Sequence, residues 1–177
     1  EVVSNFLRHH FTWQRPIAVF IDRWLRPGEL FVDVGANLGY FTLVGANAVG
    51  RAGRVHAFEP EPRNCELLRA NAALNGFDHV ICHPQAVGAR AGVARLHLSH
   101  GNLGGHSLAR ASDRATAIEV PLVTLDAALA GEPRPVRLVK IDIQGGELDV
   151  LAGMEGLLAR QPARPAIVME LDPASLE

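Results

Sequence analysis

Only two of the 177 residues are cysteine, Cys65 and Cys82, and they do not form a C-x-x-C pair. Two thiols cannot supply the disulfide framework of a small secreted domain. Both are therefore read as buried or half-buried apolar residues of a protein in a reducing, cytoplasmic compartment. Charge of one sign is equally scarce: 17 Lys and Arg against 19 Asp and Glu leave a formal net charge of −2. The arginines, among them Arg8, Arg23, Arg51, Arg69, Arg110 and Arg160, are scattered. This excludes the basic stripe of a nucleic-acid binder. No apolar run approaches the roughly 20 residues that cross a bilayer, and no secretory signal is visible. Internal repeats and low-complexity tracts are missing too. The 8 histidines include no H-x-x-x-H or similar helix spacing, so no metal site is expected.

What is present is the composition of a soluble globular protein, 48% hydrophobic and 20% charged, in a chain long enough for one sizeable core. The expected division is an N-terminal helical segment over residues 1–27 and a cofactor-binding domain over 28–177, together one domain. Thr12–Leu25 carries Trp13, Ile17, Phe20, Ile21 and Trp24 at helical spacing, with Thr12 as N-cap and Arg26-Pro27-Gly28 as stop. Leu30–Val34 is an apolar run broken only by Asp33, as in a strand buried on both faces. Leu38–Val49 reads as helix, Arg54–Phe58 as strand, Pro62–Leu74 as helix and Val80–His83 as strand. The order so far is βαβαβ, with right-handed crossovers. Val93–Ser99 and Ala117–Val123 alternate and predict an added antiparallel unit. Between them runs a polar, glycine-rich loop, S-H-G-N-L-G-G-H-S over 99–107, of the kind that serves as a lid or substrate loop. Thr124–Leu129 predicts a short helix, Val136–Ile143 a fourth core strand, Leu148–Ala159 an amphipathic helix and Ala166–Leu171 a fifth strand.

The chemistry concentrates where strands end. F-V-D-V-G-A-N-L-G-Y-F (Phe31–Phe41) runs from strand through a glycine turn into a helix, and Glu59 stands 20 residues beyond Gly39 at the end of the next strand. That is the layout of a nucleotide-type cofactor site at the carboxyl edge of a parallel sheet. The spacing Gly35-Ala36-Asn37-Leu38-Gly39 is G-x-x-x-G. Asn37 occupies the position where a second glycine would make room for a pyrophosphate. A carboxylate at Asp33 suits a cationic ligand. Both details favour S-adenosylmethionine (SAM), which carries an ammonium and a sulfonium, over a dinucleotide. Glu59 accepts hydrogen bonds from ribose hydroxyls of either cofactor, and Pro60 fixes the chain leaving the strand. Gln85 and Ala86 fall where an adenine ring would sit. In K-I-D-I-Q-G-G-E (Lys140–Glu147), alternation sets Lys140 and Asp142 on one face. A buried lysine needs a partner, and either Asp142 or Glu147 can provide it. Asp142, at the strand end, is placed to position an acceptor hydroxyl or help remove its proton. His106 and His100, flanking the glycine loop, are the further candidates for a general base.

Taken together, F-V-D-V-G-A-N-L-G-Y-F, A-F-E-P-E-P (Ala57–Pro62), L-D-A-A-L (Leu125–Leu129), L-V-K-I-D-I-Q-G-G-E (Leu138–Glu147) and I-V-M-E-L (Ile167–Leu171) resemble the FkbM family of SAM-dependent methyltransferases. The resemblance implies a class I methyltransferase fold, a three-layer, doubly wound, mostly parallel α/β sheet of Rossmann-like type. It implies SAM as donor, S-adenosylhomocysteine as product, and a hydroxyl oxygen of a sugar, polyketide or other small molecule as acceptor. Carried over position by position, Asp33, Gly35, Asn37 and Gly39 match the donor-binding turn, Glu59 the ribose-binding acid and Asp142 the residue ending the fourth strand. Gln144 and Gly146 depart from a pattern that more often shows an acid and an alanine. The sequence also stops after the fifth strand, where such folds continue into an antiparallel hairpin. A sheet without that hairpin exposes an apolar edge that invites a homodimer. The rival expectations are a nicotinamide-dependent oxidoreductase on a related sheet and a SAM-binding domain without catalysis.

Overall fold

The computed structural model describes residues 14–98 and 116–170. A five-stranded sheet forms the centre, built from β1 (Leu30–Val34), β2 (Arg54–Phe58), β3 (Val80–His83), β7 (Val136–Ile141) and β8 (Ala166–Met169). Its order is β3-β2-β1-β7-β8 and every pairing is parallel. The order reverses between β1 and β7, which opens a crevice at the carboxyl ends of those two strands. A second, three-stranded sheet has the order β4-β6-β5, with β4 (Ala86–Val87), β5 (Gly92–His97) and β6 (Ala117–Val123). The antiparallel β5–β6 ladder is the expected added unit, and β6 also pairs in parallel with β4.

Strand alternation sorts the core into two layers. Leu30, Val32 and Val34 of β1 join Val139 and Ile141 of β7 on one face, covered by α4 (Leu125–Ala128), α5 (Glu147–Ala152) and α6 (Glu155–Arg160). Phe31 and Leu138 face the other way, toward α1 (Arg15–Trp24) and α2 (Tyr40–Val49). Between β2 and β3 lies α3 (Pro62–Leu74), whose Leu68 packs with Ala36 and Ala57. Helix starts are chemically marked. Pro16 sits in the first turn of α1 and Pro62 opens α3, while the Glu61 carboxylate accepts from the Asn64 N–H at 2.6 Å and the Thr124 hydroxyl from the Ala127 N–H at 3.1 Å.

Several boundaries differ from the sequence reading, among them α2, which begins at Tyr40 and not at Leu38, and β5, which spans Gly92–His97. The first helix begins at Arg15, and Thr12 lies outside the described residues. β7 ends at Ile141: the Asp142 N–H makes a last bond to the Val34 carbonyl of β1, and the chain then leaves the sheet. The single helix expected over Leu148–Ala159 is two, α5 and α6. Gly153 separates them: its carbonyl accepts from the Asp126 N–H rather than from the helix, and it lies against the Gly88 carbonyl, where a Cβ has no room. The second helix is then capped from a distance: Asp126 accepts from the Gly156 N–H at 3.0 Å and from the Leu157 N–H. The expected fifth strand is observed as far as Met169, and the chain beyond Glu170 lies outside the described residues.

A polar chain runs under the β2–β3 end of the sheet. His56 Nδ1 lies 2.9 Å from His83 Nε2, and His56 Nε2 lies 3.2 Å from Glu132, which also meets Arg54 and Arg134. The His83 ring stacks on Phe58 at 4.3 Å. Burial, reinforced by His56, pulls the His83 pKa down to about 4. The folded chain thus binds fewer protons at His83 than the unfolded chain between pH 4 and the ordinary 6.5. The stability it contributes is present above pH 6.5 and is lost as pH falls toward 4. His83→Phe keeps the stack and removes the titration. Urea unfolding at pH 5 and pH 7 should show a smaller acid loss for this variant than for wild type.

Candidate active site

A cleft opens where β1, β2 and β7 end. Gly35 and Asn37 from the turn after β1, Glu59 and Pro60 after β2, Gln85 and Ala86 after β3, and Asp142 after β7 all line it. The residues singled out in the sequence therefore converge from four segments of chain. Phe58, Asn64, Val87, Leu96 and the Ile143–Gly145 turn complete the walls. Of these, Asn64 was open to sequence reasoning, since it falls in the first turn of the helix that follows F-E-P. Leu96 was not, because only the packing of the small sheet brings it there. Three predicted residues stand behind the cleft. Asp33 is buried beneath the turn, Ala36 packs with Ala57 and Leu68, and Gly39 lies against Leu68. His100 and His106 lie outside the described residues.

The turn is built by close approach. Gly35 has φ +73° and stands so near the Asp142 carbonyl that a Cβ there would collide with it. Its N–H and that of Ala36 both donate to the Phe58 carbonyl at 3.0 Å, stitching the end of β1 to the end of β2. Asn37 is left-handed at φ 51°, a conformation asparagine tolerates, and its side-chain oxygen accepts from the Leu38 N–H at 2.6 Å. This aims the Asn37 N–H at Glu59 Oε2, 2.8 Å away, while Glu59 Oε1 accepts from the Glu61 N–H at 3.0 Å. Glu59 is only 5% exposed. Burial raises its pKa to about 7, against the opposing pull of its backbone hydrogen bonds from Glu61 and Asn37. The carboxyl therefore changes charge near neutrality.

Beneath the turn lies a buried charge cluster. Lys140 Nζ is 3.0 Å from Asp33 Oδ1 and 3.3 Å from Asp142 Oδ2, with its side chain 2% exposed. It also lies 4.9 Å from the centre of the Phe41 ring. The Thr42 hydroxyl donates to Asp33 Oδ2 at 2.6 Å, so both oxygens of that carboxylate are engaged. Burial pulls the Lys140 pKa down, but Asp33 and Asp142 outweigh it and the net shift is upward. The sequence alternatives for its partner resolve in favour of Asp142, joined by Asp33. Glu147 instead accepts from the Gly145 N–H at 3.0 Å in the turn before its own helix. Asp142 is the member of the cluster that reaches the cleft, with its side chain 26% exposed.

The profile of the methyltransferase FkbM domain matches residues 33–175. The chain belongs to the FkbM methyltransferase family. It is 31% identical over 169 residues to 31-O-demethyl-FK506 methyltransferase FkbM from Streptomyces tacrolimicus, covering 74% of this chain and 61% of that relative. The chain thus spans less than two thirds of that relative's length. Among solved structures, the FkbM methyltransferase of Methylobacillus flagellatus KT superposes with a TM-score of 0.53 at 18% identity, covering 86% of this chain and 39% of that one. A protein of Streptococcus mutans solved in complex with SAH gives 0.54 at 11% identity, covering 89% and 73%. These likenesses establish the class I methyltransferase fold, and the family sets the nicotinamide reading aside.

The charge cluster yields a direct test. Lys140→Met leaves Asp33 buried without its cation and should cost about 3–5 kcal/mol in urea unfolding. Adding Asp33→Asn to that variant removes the stranded charge and should recover most of the loss. Equal instability of the single and double variants would show that the pair is not what holds this region.

Proposed function

We propose that the chain transfers a methyl group from SAM to a hydroxyl oxygen of a small molecule, releasing S-adenosylhomocysteine. The observation that carries the reading is Glu59: a nearly buried carboxylate, oriented by two backbone N–H groups, on the wall of a cleft at the strand-order reversal. It suits the two hydroxyls of a ribose. Phe58, Val87 and Leu96 give apolar walls for a nucleoside base, with Gln85 and Ala86 at its edge. Two carboxylates around one ammonium leave the ground under the turn net negative, which favours a cationic donor. Asp33 acts here through the field and through Lys140, since it is fully buried beneath the turn and does not reach the cleft. Gly35, Ala36, Asn37 and Gly39 hold the turn, and Pro60 directs the chain away from the ribose position.

SAM supplies an activated methyl on a sulfonium, so the protein has mainly to bring the acceptor oxygen into line with it and exclude water. Asp142 is the group proposed to hold the acceptor hydroxyl, its carboxylate kept in place by Lys140. Base assistance is assigned to Asp142, His106 or His100. The acceptor class rests on the family and on the relative from Streptomyces tacrolimicus, whose name specifies an O-demethyl substrate.

Calorimetric titration with S-adenosylhomocysteine and, separately, NADH tests the donor. The homocysteine nucleoside should bind and NADH should not, and Glu59→Gln should weaken binding at least about tenfold, roughly 1.4 kcal/mol. A ribose diol donates to the ionised carboxylate, so affinity should fall about tenfold per pH unit below about 7 and level off above it. The Glu59→Gln variant should lose that dependence. Binding of NADH alone would overturn the reading. For catalysis, Asp142→Asn should lower kcat on a hydroxyl acceptor while leaving nucleoside affinity near wild type; an unchanged kcat would remove Asp142 from the mechanism.

A further inference from the structure

The two cysteines, 17 positions apart in the chain, meet in the fold. Cys65 sits in the first half of α3 and Cys82 in β3, and their sulfur atoms lie 2.6 Å apart with both thiols free. No side chain separates them. Cys65 is 1% exposed, whereas Cys82 is half-buried and accessible to a small reagent. The chain contains no third cysteine to divert either sulfur. β3 is an edge of the central sheet, paired among the described residues with β2 alone, and it is held by that ladder, by the His83 contacts with His56 and Phe58 and by packing on α3. A bond between these sulfurs would join that edge to the helix covering it.

We propose that Cys65 and Cys82 form a redox modification site, closed to an intramolecular disulfide by a peroxide and reopened by a thiol reductant. The Cys82 sulfur attacks one peroxide oxygen. The O–O bond breaks, Cys82 becomes a sulfenic acid, and the first water leaves. The Cys65 sulfur then displaces the hydroxyl from the Cys82 sulfur, forming the S–S bond and releasing the second water. Two thiols are oxidised by two electrons and one peroxide is reduced to two waters. Burial, with Cys65 beside it, pushes the Cys82 thiol up to about 12, although the Arg69 guanidinium opposes the shift. Thiolate is therefore scarce at neutral pH, and closure is slow compared with a dedicated peroxide sensor. The inference stands on the sulfur geometry and does not depend on the methyl-transfer reading.

The test treats the reduced full chain with hydrogen peroxide, then denatures and alkylates it. Trypsin places Cys65 in residues 64–69 and Cys82 in residues 70–90, since Arg63, Arg69 and Arg90 flank them. The expected product is one cross-linked species of these two peptides, two hydrogens lighter than their sum. It should be found in monomeric protein and lost on reduction. Peptide mapping keeps it apart from methionine oxidation. Closure of so short a loop should raise the thermal midpoint by roughly 5 °C or more. It should also slow amide exchange in 80–83. Cys65→Ser and Cys82→Ser should show neither gain. Two thiols that remain open to alkylation, or disulfides found only between chains, would overturn the site. A cross-link without any rise in midpoint would overturn its role as a clamp on β3.

Discussion

A lysine ammonium placed between strands of a parallel sheet survives there only if its charge is answered within hydrogen-bond reach. Lys140 obtains that answer from Asp33 on the neighbouring strand and Asp142 just beyond its own. Taking such ions out of water is costly, and replacing a buried pair with apolar groups is often neutral. The cluster is therefore poorly explained as a stabiliser. Its effect is positional. Asp33 pulls Lys140 toward β1, Lys140 holds the Asp142 carboxylate, and the backbone at Asp142 lies against Gly35. Two strand ends already joined by the β1–β7 ladder are thus tied by side chains as well, and the cleft opens beside them.

The cleft then combines two kinds of wall. One is polar and fixed by backbone: the Gly35–Asn37 turn, the Glu59 carboxylate and the turn through Gly145. The other is apolar and comes from the small sheet, through Val87 and Leu96. Neither sheet makes the site alone. The small sheet has its own buried contacts at Ala86, Leu96 and Val120, so it is a packed unit set against the end of the larger one. A nucleoside, with a hydroxylated sugar and a flat base, needs this division between hydrogen-bonding and apolar surfaces.

Much of this was legible in the sequence because it is local. Leu30–Val34, Arg54–Phe58 and Val80–His83 are short apolar runs between turn residues, and the strands occupy those bounds. Gly35, Asn37, Glu59 and Asp142 were legible as candidates because each lies in the turn just beyond a strand, and all four line the cleft. What escaped depends on contacts between distant segments. Asp33 meets Lys140 across 107 positions, so its pairing looked like ligand chemistry in the linear sequence. Leu148–Ala159 carries a continuous helical pattern, and its division at Gly153 lies where that residue meets Gly88 and Asp126, both distant in sequence. Asp126 caps α6 from 30 residues away. Ala86–Val87 is too short for any periodicity, and its strand character comes from β6.

The turn above Lys140 also holds Glu59, a group whose charge is poised near neutrality. A carboxylate in open water is a weak partner for a sugar diol, because water competes for the same lone pairs. In the cleft wall Glu59 is largely withdrawn from water, which strengthens each hydrogen bond it makes and also resists its ionisation. The backbone N–H groups of Asn37 and Glu61 offset part of that resistance and fix the direction of both oxygens. The Asn37 donor points correctly only because its residue is left-handed, and that conformation belongs to a turn closed on one side by Gly35 against Asp142. The carboxyl on the cleft wall and the buried ammonium do not touch; what links them is one stretch of backbone, from Asp142 against Gly35 to the Asn37 donor on Glu59.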